Sequence, residues 1–255
     1  MDTLGTIVPH LSEAATSDSR VEAQERLRFL AHTGGRGLLT GASGTGKSWL
    51  LSELAGQLRR EGLAVAEIDM TAVDSREFPG LVASRLGLGV AVGMDSIELW
   101  SVLQDHAESS RRMGRRMSFV LDHADRADGS VWNALLRLME QYGPSCAWLL
   151  ACRTPADSVA DQPGWSVLRD QAWLRIELPK LERRDASQLL SRDLAKRGNS
   201  TSISPAAIDA ALEITGGEAR CMKQLSQLAG LAMESDEIRE LDEAVILELA
   251  KELLR

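Results

Sequence analysis

The sequence has little cysteine and no long apolar run. Its three cysteines, Cys146, Cys152 and Cys221, show no Cys-x-x-Cys spacing and no histidine cluster, which argues against a disulfide framework and a zinc site. No run approaches the ~18 apolar residues of a membrane span, and residues 1–20 lack a basic start followed by a long apolar segment. We therefore expect a soluble protein of the cytoplasm.

The sequence has no excess of positive charge, since 29 Lys and Arg stand against 37 Asp and Glu and the formal net charge is -8. This balance argues against a globally basic nucleic-acid-binding surface without excluding a local one. The net charge alone therefore does not identify a binding partner. The 255 residues suffice for one sizeable α/β domain and a smaller appendage.

Lysine is rare as well, and Lys47 is the only lysine before Lys180. It follows the apolar run Leu38-Leu39 and stands in Gly41-Ala42-Ser43-Gly44-Thr45-Gly46-Lys47-Ser48, which fits Gly-x4-Gly-Lys-Ser. The glycines let backbone N–H groups curl around phosphate oxygens, while Lys47 reaches the β and γ phosphates and Ser48 offers a hydroxyl to Mg²⁺. We predict a site for ATP and Mg²⁺ at this loop and include the next residue, Trp49. A glycine-rich turn with a chance lysine is the alternative, and the flanking strand and helix signals disfavour it.

Short apolar runs alternate with helical spacing as far as Pro179. We expect strands at about 37–40, 63–70, 118–122, 147–151 and 173–178, with helices at about 21–32, 47–60, 75–86, 96–110 and 131–142. This alternation predicts a parallel sheet with helices on both faces. Four more helices are expected at about 182–197, 204–215, 218–234 and 241–254. The predicted domains are an irregular lead-in (1–19), an α/β nucleotide-binding domain (20–179) and a small all-helical lid (180–255).

The segment Arg111-Arg112-Met113-Gly114-Arg115-Arg116, which we call the basic turn, carries four arginines around a glycine. Such a turn is most often a solvated connection into the next strand. The other interpretation is a contact with phosphates or nucleic acid, because a local basic turn can neutralise backbone phosphates even on an acidic protein.

Three further positions are predicted to face the bound nucleotide. Asp122 ends an apolar run, where α/β sheets expose ligand-binding groups, and is placed to hold Mg²⁺ together with Ser48. Arg153 or Thr154 follows the strand at 147–151, at the same edge of the sheet. Arg220 follows Gly216-Gly217, and an anionic ligand would explain an arginine in a first helical turn, where the helix dipole disfavours positive charge.

These elements occur in the order and spacing of an AAA+ ATPase, and residues 20–254 resemble the bacterial branch that holds transposition regulators and general-secretion-pathway A proteins. The resemblance implies a P-loop NTPase fold with strand order 5-1-4-3-2. It also implies that the glycine loop is the Walker A motif, Asp122 the Walker B acid, Arg153 or Thr154 sensor 1, and Arg220 sensor 2.

The same resemblance implies a homo-oligomer, a ring or a filament, in which a neighbouring subunit supplies an arginine finger. Arg169 is our first candidate for the finger and Arg175 the second. Relatives usually have Asp-Glu at the end of the Walker B strand, whereas this sequence has Asp122-His123-Ala124-Asp125. The missing glutamate orients the attacking water, so its loss should slow hydrolysis, unless His123 or Asp125 takes its place.

The sequence therefore predicts a slow ATPase that acts as a nucleotide-dependent switch on an unidentified protein partner. In one version it is a transposition-type regulator linked to DNA, supported by the basic turn and the resemblance. The alternative is a non-catalytic, ATP-dependent scaffold of a secretion, envelope or signalling system.

Overall fold

A parallel five-stranded sheet forms the centre of the α/β lobe. The computed structural model describes residues 19–91, 93–153, 163–196, 202–234 and 240–253. The strands are β1 (Gly35–Thr40), β2 (Ala64–Asp69), β3 (Met117–Asp122), β4 (Ala147–Ala151) and β5 (Leu174–Glu177). They pair in the order β2-β3-β4-β1-β5, and every pair is parallel. This is the predicted order 5-1-4-3-2 read from the other edge, so the predicted fold is confirmed.

The position of each strand explains its sequence. The central strands β3 and β4 are buried almost throughout, which is why both are continuous apolar runs. The edge strand β2 instead alternates buried residues with exposed or half-buried ones, and the edge strand β5 buries Ile176 alone. Their apolar signal is correspondingly weaker.

Helices cover both faces of the sheet, because neighbouring residues of a strand point to opposite sides. The face carrying Leu39, Val120 and Leu149 packs against α1 (Ser19–Thr33) and α2 (Lys47–Arg60). The other face surrounds the stacked rings of Phe119 and Trp148. It is covered by α3 (Phe78–Arg85), α4 (Ser96–Arg112), α5 (Val131–Tyr142) and α6 (Pro163–Gln171).

Two elements were not predicted from the sequence, α6 and a 3₁₀ turn at Ala124–Arg126. The signal for α6 was present in the pair Trp165 and Leu168, which are three residues apart and both buried. α3 also begins three residues later than predicted, because residues 75–77 form a turn whose backbone N–H groups at Arg76 and Glu77 bond to the Asp74 carboxylate.

Within the described residues, four helices follow Pro179 and enclose an apolar cluster of their own, and we call these four helices the lid. They are α7 (Arg183–Lys196), α8 (Pro205–Thr215), α9 (Ala219–Glu234) and α10 (Glu243–Leu253). The apolar clusters of the α/β lobe end at Leu178, and the lid cluster begins at Leu181. No helix of the described residues has the length and apolar character needed to cross a membrane.

Candidate nucleotide-binding site

The glycine loop joins β1 to α2 at the carboxyl edge of the sheet. Gly41, Gly44 and Gly46 have φ angles of 153°, 80° and 94°, in the region that residues with a Cβ rarely adopt. Gly46 also stands at the N-cap of α2, which has no side-chain cap. The loop therefore leads directly into uncapped helical amides, an arrangement that favours anions.

Lys47, the first residue of α2, is buried against this loop. Its Nζ donates hydrogen bonds to the carbonyl oxygens of Gly41 and Ala42, each at 2.8 Å. Burial lowers the pKa of Lys47, although the nearby charges of Asp125 and Asp122 act in the opposite direction. The loop thus holds the Lys47 ammonium group in a partly desolvated environment near two carboxylates.

Asp122 and His123 lie at the carboxyl end of β3. The Asp122 side chain is 18% exposed, and its Oδ1 accepts a 2.8 Å hydrogen bond from the His123 backbone N–H. His123 has a φ of 52°, which is uncommon for a residue with a side chain. Its Nδ1 lies 3.1 Å from Asp69 Oδ1 and 3.6 Å from Asp122 Oδ2. The imidazole is therefore held between two carboxylates.

Asp69 did not figure in the sequence analysis. It ends β2 and pairs in register with Asp122 at the end of β3, so two strands that both finish on aspartate were the available signal. The backbone N–H and the hydroxyl of Thr71 donate to Asp69 at 2.9 and 2.7 Å. Burial raises the pKa of Asp69, but these hydrogen bonds and the His123 charge together outweigh burial and lower it. Asp69 is thus a fixed anion beside His123.

Asp125 is engaged by Arg153 across the end of β4. The Arg153 Nε donates to Asp125 Oδ2 at 2.7 Å, and the Arg153 backbone N–H donates to Oδ1 at 3.1 Å. The Asp125 side chain is 2% exposed. Burial raises its pKa, but the hydrogen bonds and charge of Arg153 outweigh that effect and lower it. Thr154, the other candidate for sensor 1, lies outside the described residues.

The start of α9 brings Arg220 of the lid to the glycine loop. The Arg220 backbone N–H donates to the Gly44 carbonyl at 3.2 Å. A Cβ at Gly44 would lie only 2.6 Å from Glu218 Oε2. Arg220 and Lys47 both line one cavity, so residues from the two lobes face the same space.

Arg20 connects four elements and was not predicted. From α1, its guanidinium donates to the Thr45 carbonyl at 2.9 Å, to the Pro179 carbonyl at 3.3 Å, and to Asp185 of α7 at 3.1 Å. Asp185 is buried and Arg20 is nearly so, with side chains 8% and 11% exposed. Arg20 therefore links the glycine loop to the lid.

Trp49 forms a second contact between the lobes. Its side chain lies on α2, and the Arg192 guanidinium carbon of α7 is 5.1 Å from the centre of its ring. Arg192 also lies 3.4 Å from Glu53. An aromatic face beneath a cation is thus exposed at the cavity.

The cavity between the lobes has a volume of about 370 Å³. It brings together most of the predicted site: Ser43, Gly44, Gly46, Lys47, Ser48, Trp49, Asp122, His123, Asp125, Arg153 and Arg220. It is also lined by cations that the sequence analysis did not single out, namely Arg20, Arg126, Arg192 and Lys223. Basic side chains outnumber the four lining aspartates, Asp122, Asp125, Asp185 and Asp193, and the Trp49 ring adds an aromatic surface. This composition suits a nucleotide.

The two arginine-finger candidates lie away from this cavity. Arg169 is on α6, where its Nε is 3.1 Å from Asp170 Oδ1. Arg175 on β5 donates to the Arg169 carbonyl at 2.7 Å. Neither lines the cavity of its own chain, so a role for either is a role toward a neighbouring subunit, and it stays a prediction.

The central part of the chain matches one known protein family. Residues 30–155 match the family model described as an AAA domain. No curated protein matches the sequence significantly. The specific branch of transposition regulators and secretion proteins therefore stays a prediction.

Several solved structures share the fold. The Aeropyrum pernix ORC2 protein, solved as ADPNP-ADP complexes, is 15% identical with a TM-score of 0.68, over 95% of this chain and 70% of its own. The Aeropyrum pernix ORC1 protein in complex with DNA is 18% identical with a TM-score of 0.64, over 96% and 68%. The Thermotoga maritima RuvB Holliday junction branch migration motor is 14% identical with a TM-score of 0.57, over 91% and 66%. This chain thus spans about two thirds of the length of the proteins it resembles.

Proposed function

Starting from the AAA domain of residues 30–155, we propose that this protein binds ATP with Mg²⁺ between its two lobes and acts as a nucleotide-dependent switch. Hydrolysis is slow, and the position of the lid reports which nucleotide is bound. The output of the switch is assembly of identical subunits or binding of a protein partner.

One observation supports the switch above all others. Lys47 belongs to the α/β lobe, Arg220 belongs to the lid, and both line the same cavity. A triphosphate that contacts both would stabilise the arrangement in which the lobes meet. A diphosphate lacks the terminal phosphate and would stabilise it less, which is the differential interaction that a two-state element requires.

The residues present also suit Mg²⁺ and a nucleoside. Ser48 and Asp122 would hold the cation, because hydroxyl and carboxylate oxygens are the ligands that Mg²⁺ prefers. When bound, the ion would neutralise phosphate charge. The ring of Trp49 and the apolar side chains of Val21 and Leu189 line the same cavity and would face the uncharged end of the nucleotide.

Slow hydrolysis is supported by the contacts of His123 and Asp125. A general base contributes typically ~10²–10⁴-fold to such a reaction. The His123 imidazole is held beside Asp69, and the Asp125 carboxylate is engaged by Arg153. Both groups that could replace the usual glutamate thus already have a protein partner.

Replacement of His123 by glutamate tests this function. We expect the turnover of His123→Glu to exceed that of the native chain by about 100-fold, because a carboxylate then follows Asp122. The matched control is His123→Gln, which should stay slow, and Lys47→Ala should abolish activity in the glutamate background. Brisk, partner-independent turnover of the native chain that survives His123→Ala would contradict the proposal.

The second candidate is a scaffold that binds ATP without using its hydrolysis, and the same His123 environment favours it. A third version links the switch to DNA, since the similar ORC1 protein was solved in complex with DNA. Light scattering after size exclusion, in ADP and in a non-hydrolysable ATP analogue, with and without duplex DNA, tests self-assembly and the DNA-linked version, whereas the turnover of the native chain distinguishes the switch from the scaffold. A monomer under every condition would remove self-assembly from the proposal.

A further inference from the structure

The basic turn lies at the amino edge of the sheet, opposite the nucleotide cavity. It joins the end of α4 to the start of β3, whereas Asp122 at the cavity ends the same strand. A six-residue strand separates the two edges by about 20 Å. Whatever the basic turn contacts is therefore not the nucleotide in the cavity of its own chain.

The backbone of the basic turn is fixed by hydrogen bonds. Gly114 has a φ of 62°, its N–H donates to the Arg111 carbonyl at 3.1 Å, and the Arg115 N–H donates to the Ser110 carbonyl at 2.9 Å. This is the pattern that commonly ends a helix at a left-handed glycine. The Arg116 side chain also donates to the His32 carbonyl at the end of α1. The arginines are thus displayed on an ordered turn.

The charge of the basic turn is largely uncompensated. Arg112 pairs with Glu108 at 3.0 Å. Within the described part of the chain, Arg111, Arg115 and Arg116 form no ion pair with a carboxylate, and all three are exposed. The C-terminal dipole of α4 favours Arg111 and Arg112. It does not account for Arg115 and Arg116, which follow the end of the helix.

These arginines spread over a surface where three elements end. The side chain of Arg116 reaches the last turn of α1. The Arg111 Cδ lies 3.8 Å from the position of a Cβ on Gly143, at the end of α5. We call Arg111, Arg115 and Arg116 the amino-edge surface. It presents three guanidinium groups on a protein whose net charge is -8.

We propose that the amino-edge surface binds the phosphate backbone of a nucleic-acid duplex. Guanidinium groups match phosphate geometry with paired hydrogen bonds, and they are less strongly hydrated than lysine ammonium groups. The basic turn carries no aromatic ring on which unpaired bases could stack; its one exposed apolar side chain is Met113. Recognition is therefore of the backbone, independent of base sequence and strongly dependent on salt.

The inference does not depend on the proposed function, since this surface lies away from the cavity. The test uses the full chain without nucleotide and a short, labelled DNA duplex of mixed sequence, with binding measured by fluorescence anisotropy. The variant is Arg111→Ala with Arg115→Ala. The matched control removes the same charge elsewhere in the lobe, as Arg76→Ala with Arg85→Ala, two exposed arginines.

We expect the basic-turn variant to bind the duplex about 10- to 100-fold more weakly at about 100 mM salt, with a salt slope shallower by about two. The control should bind like the native chain, and circular dichroism should show both variants folded. Arg111→Lys with Arg115→Lys should keep most of the salt slope. The proposal is overturned if the native chain binds no duplex, if both alanine variants lose affinity equally, or if polyglutamate displaces the duplex as well as unlabelled DNA does.

Discussion

The two walls of the nucleotide cavity are built in different ways. The wall from the α/β lobe continues directly from buried strands, so that Lys47 and Asp122 are positioned by the backbone of the sheet. The wall from the lid is attached by polar contacts, which join Arg220 to Gly44 and Arg20 to Asp185. The apolar clusters of the two lobes remain separate. The α/β wall therefore determines where a ligand binds, while the lid wall rests on a few contacts that a ligand can change.

The largest effect should come from the α/β wall. Lys47→Ala removes the ammonium group that would contact the β and γ phosphates, and we expect ATP and ADP to bind about 100-fold more weakly. Isothermal titration calorimetry measures both affinities. Lys251→Ala, an exposed lysine of α10, is the control and should bind normally. Retained affinity in Lys47→Ala would mean that the cavity does not bind nucleotides through the glycine loop.

A change at Arg153 tests how strongly the α/β wall is held. Arg153→Ala leaves the buried Asp125 carboxylate without its guanidinium, and we expect the free energy of unfolding to fall by about 2 kcal/mol at pH 7. The pKa of Asp125 is lowered in the folded state, so its contribution is present above the unfolded pKa, near 3.8, and is lost as pH falls through the folded pKa. The difference in the free energy of unfolding between the variant and the native chain should therefore become smaller below about pH 3.8.

Urea unfolding at neutral and acid pH measures this difference. The matched control lies in the lid, where Arg183 pairs with Asp209 at 2.8 Å and both side chains are more than half exposed. Arg183→Ala should change stability only slightly at either pH. Equal losses in the two variants would show that the ion pair of the α/β wall has no special role in stability.

The lid wall should discriminate between nucleotides rather than hold them. We expect Arg220→Ala to bind a non-hydrolysable ATP analogue about 10-fold more weakly, because the guanidinium would contact the terminal phosphate. The affinity for ADP should be nearly unchanged. Calorimetry with both nucleotides gives the ratio, and Arg183→Ala is again the control. An equal loss of affinity for both nucleotides would show that Arg220 does not distinguish ATP from ADP, and the basis of the switch would then be removed.

The smallest effect should follow from Arg20→Ala, which removes the link between the glycine loop and α7. We expect a loss of about 1 kcal/mol in stability and faster trypsin cleavage at Lys180, between the lobes. Arg26→Ala, which breaks only an exposed pair with Glu22 on α1, should be cleaved at the native rate. Unchanged cleavage in Arg20→Ala would show that this arginine does not restrain the lid.

More residues of the α/β wall than of the lid wall could be predicted from the sequence, and the reason is physical. A glycine loop after a buried strand needs particular residues at fixed spacing, and the central strands are continuous apolar runs. Both patterns are local and readable. Thus Lys47 and Asp122 were predicted from the residues themselves, whereas the strand order was implied by the family resemblance and is confirmed by the parallel sheet.

Contacts between distant segments leave no such pattern. Arg20 bonds to two carbonyl oxygens and to a carboxylate 165 residues away, so its role depends on where the chain folds back. The pair formed by His123 and Asp69 is similar, because only the register of β2 with β3 brings the two together. The short helix α6 was missed since its apolar pattern spans little more than two turns.

Because Trp49 contacts Arg192 of the lid, its intrinsic fluorescence can report on the contact between the two lobes. Of the six tryptophans, Trp100, Trp132, Trp148 and Trp165 are buried, whereas Trp49 is 40% and Trp173 is 63% exposed. In Trp173→Phe, iodide quenching would therefore report almost entirely on the indole beside the cleft. Motion of α7 away from α2 would be visible as a change in fluorescence, in real time and without an attached dye.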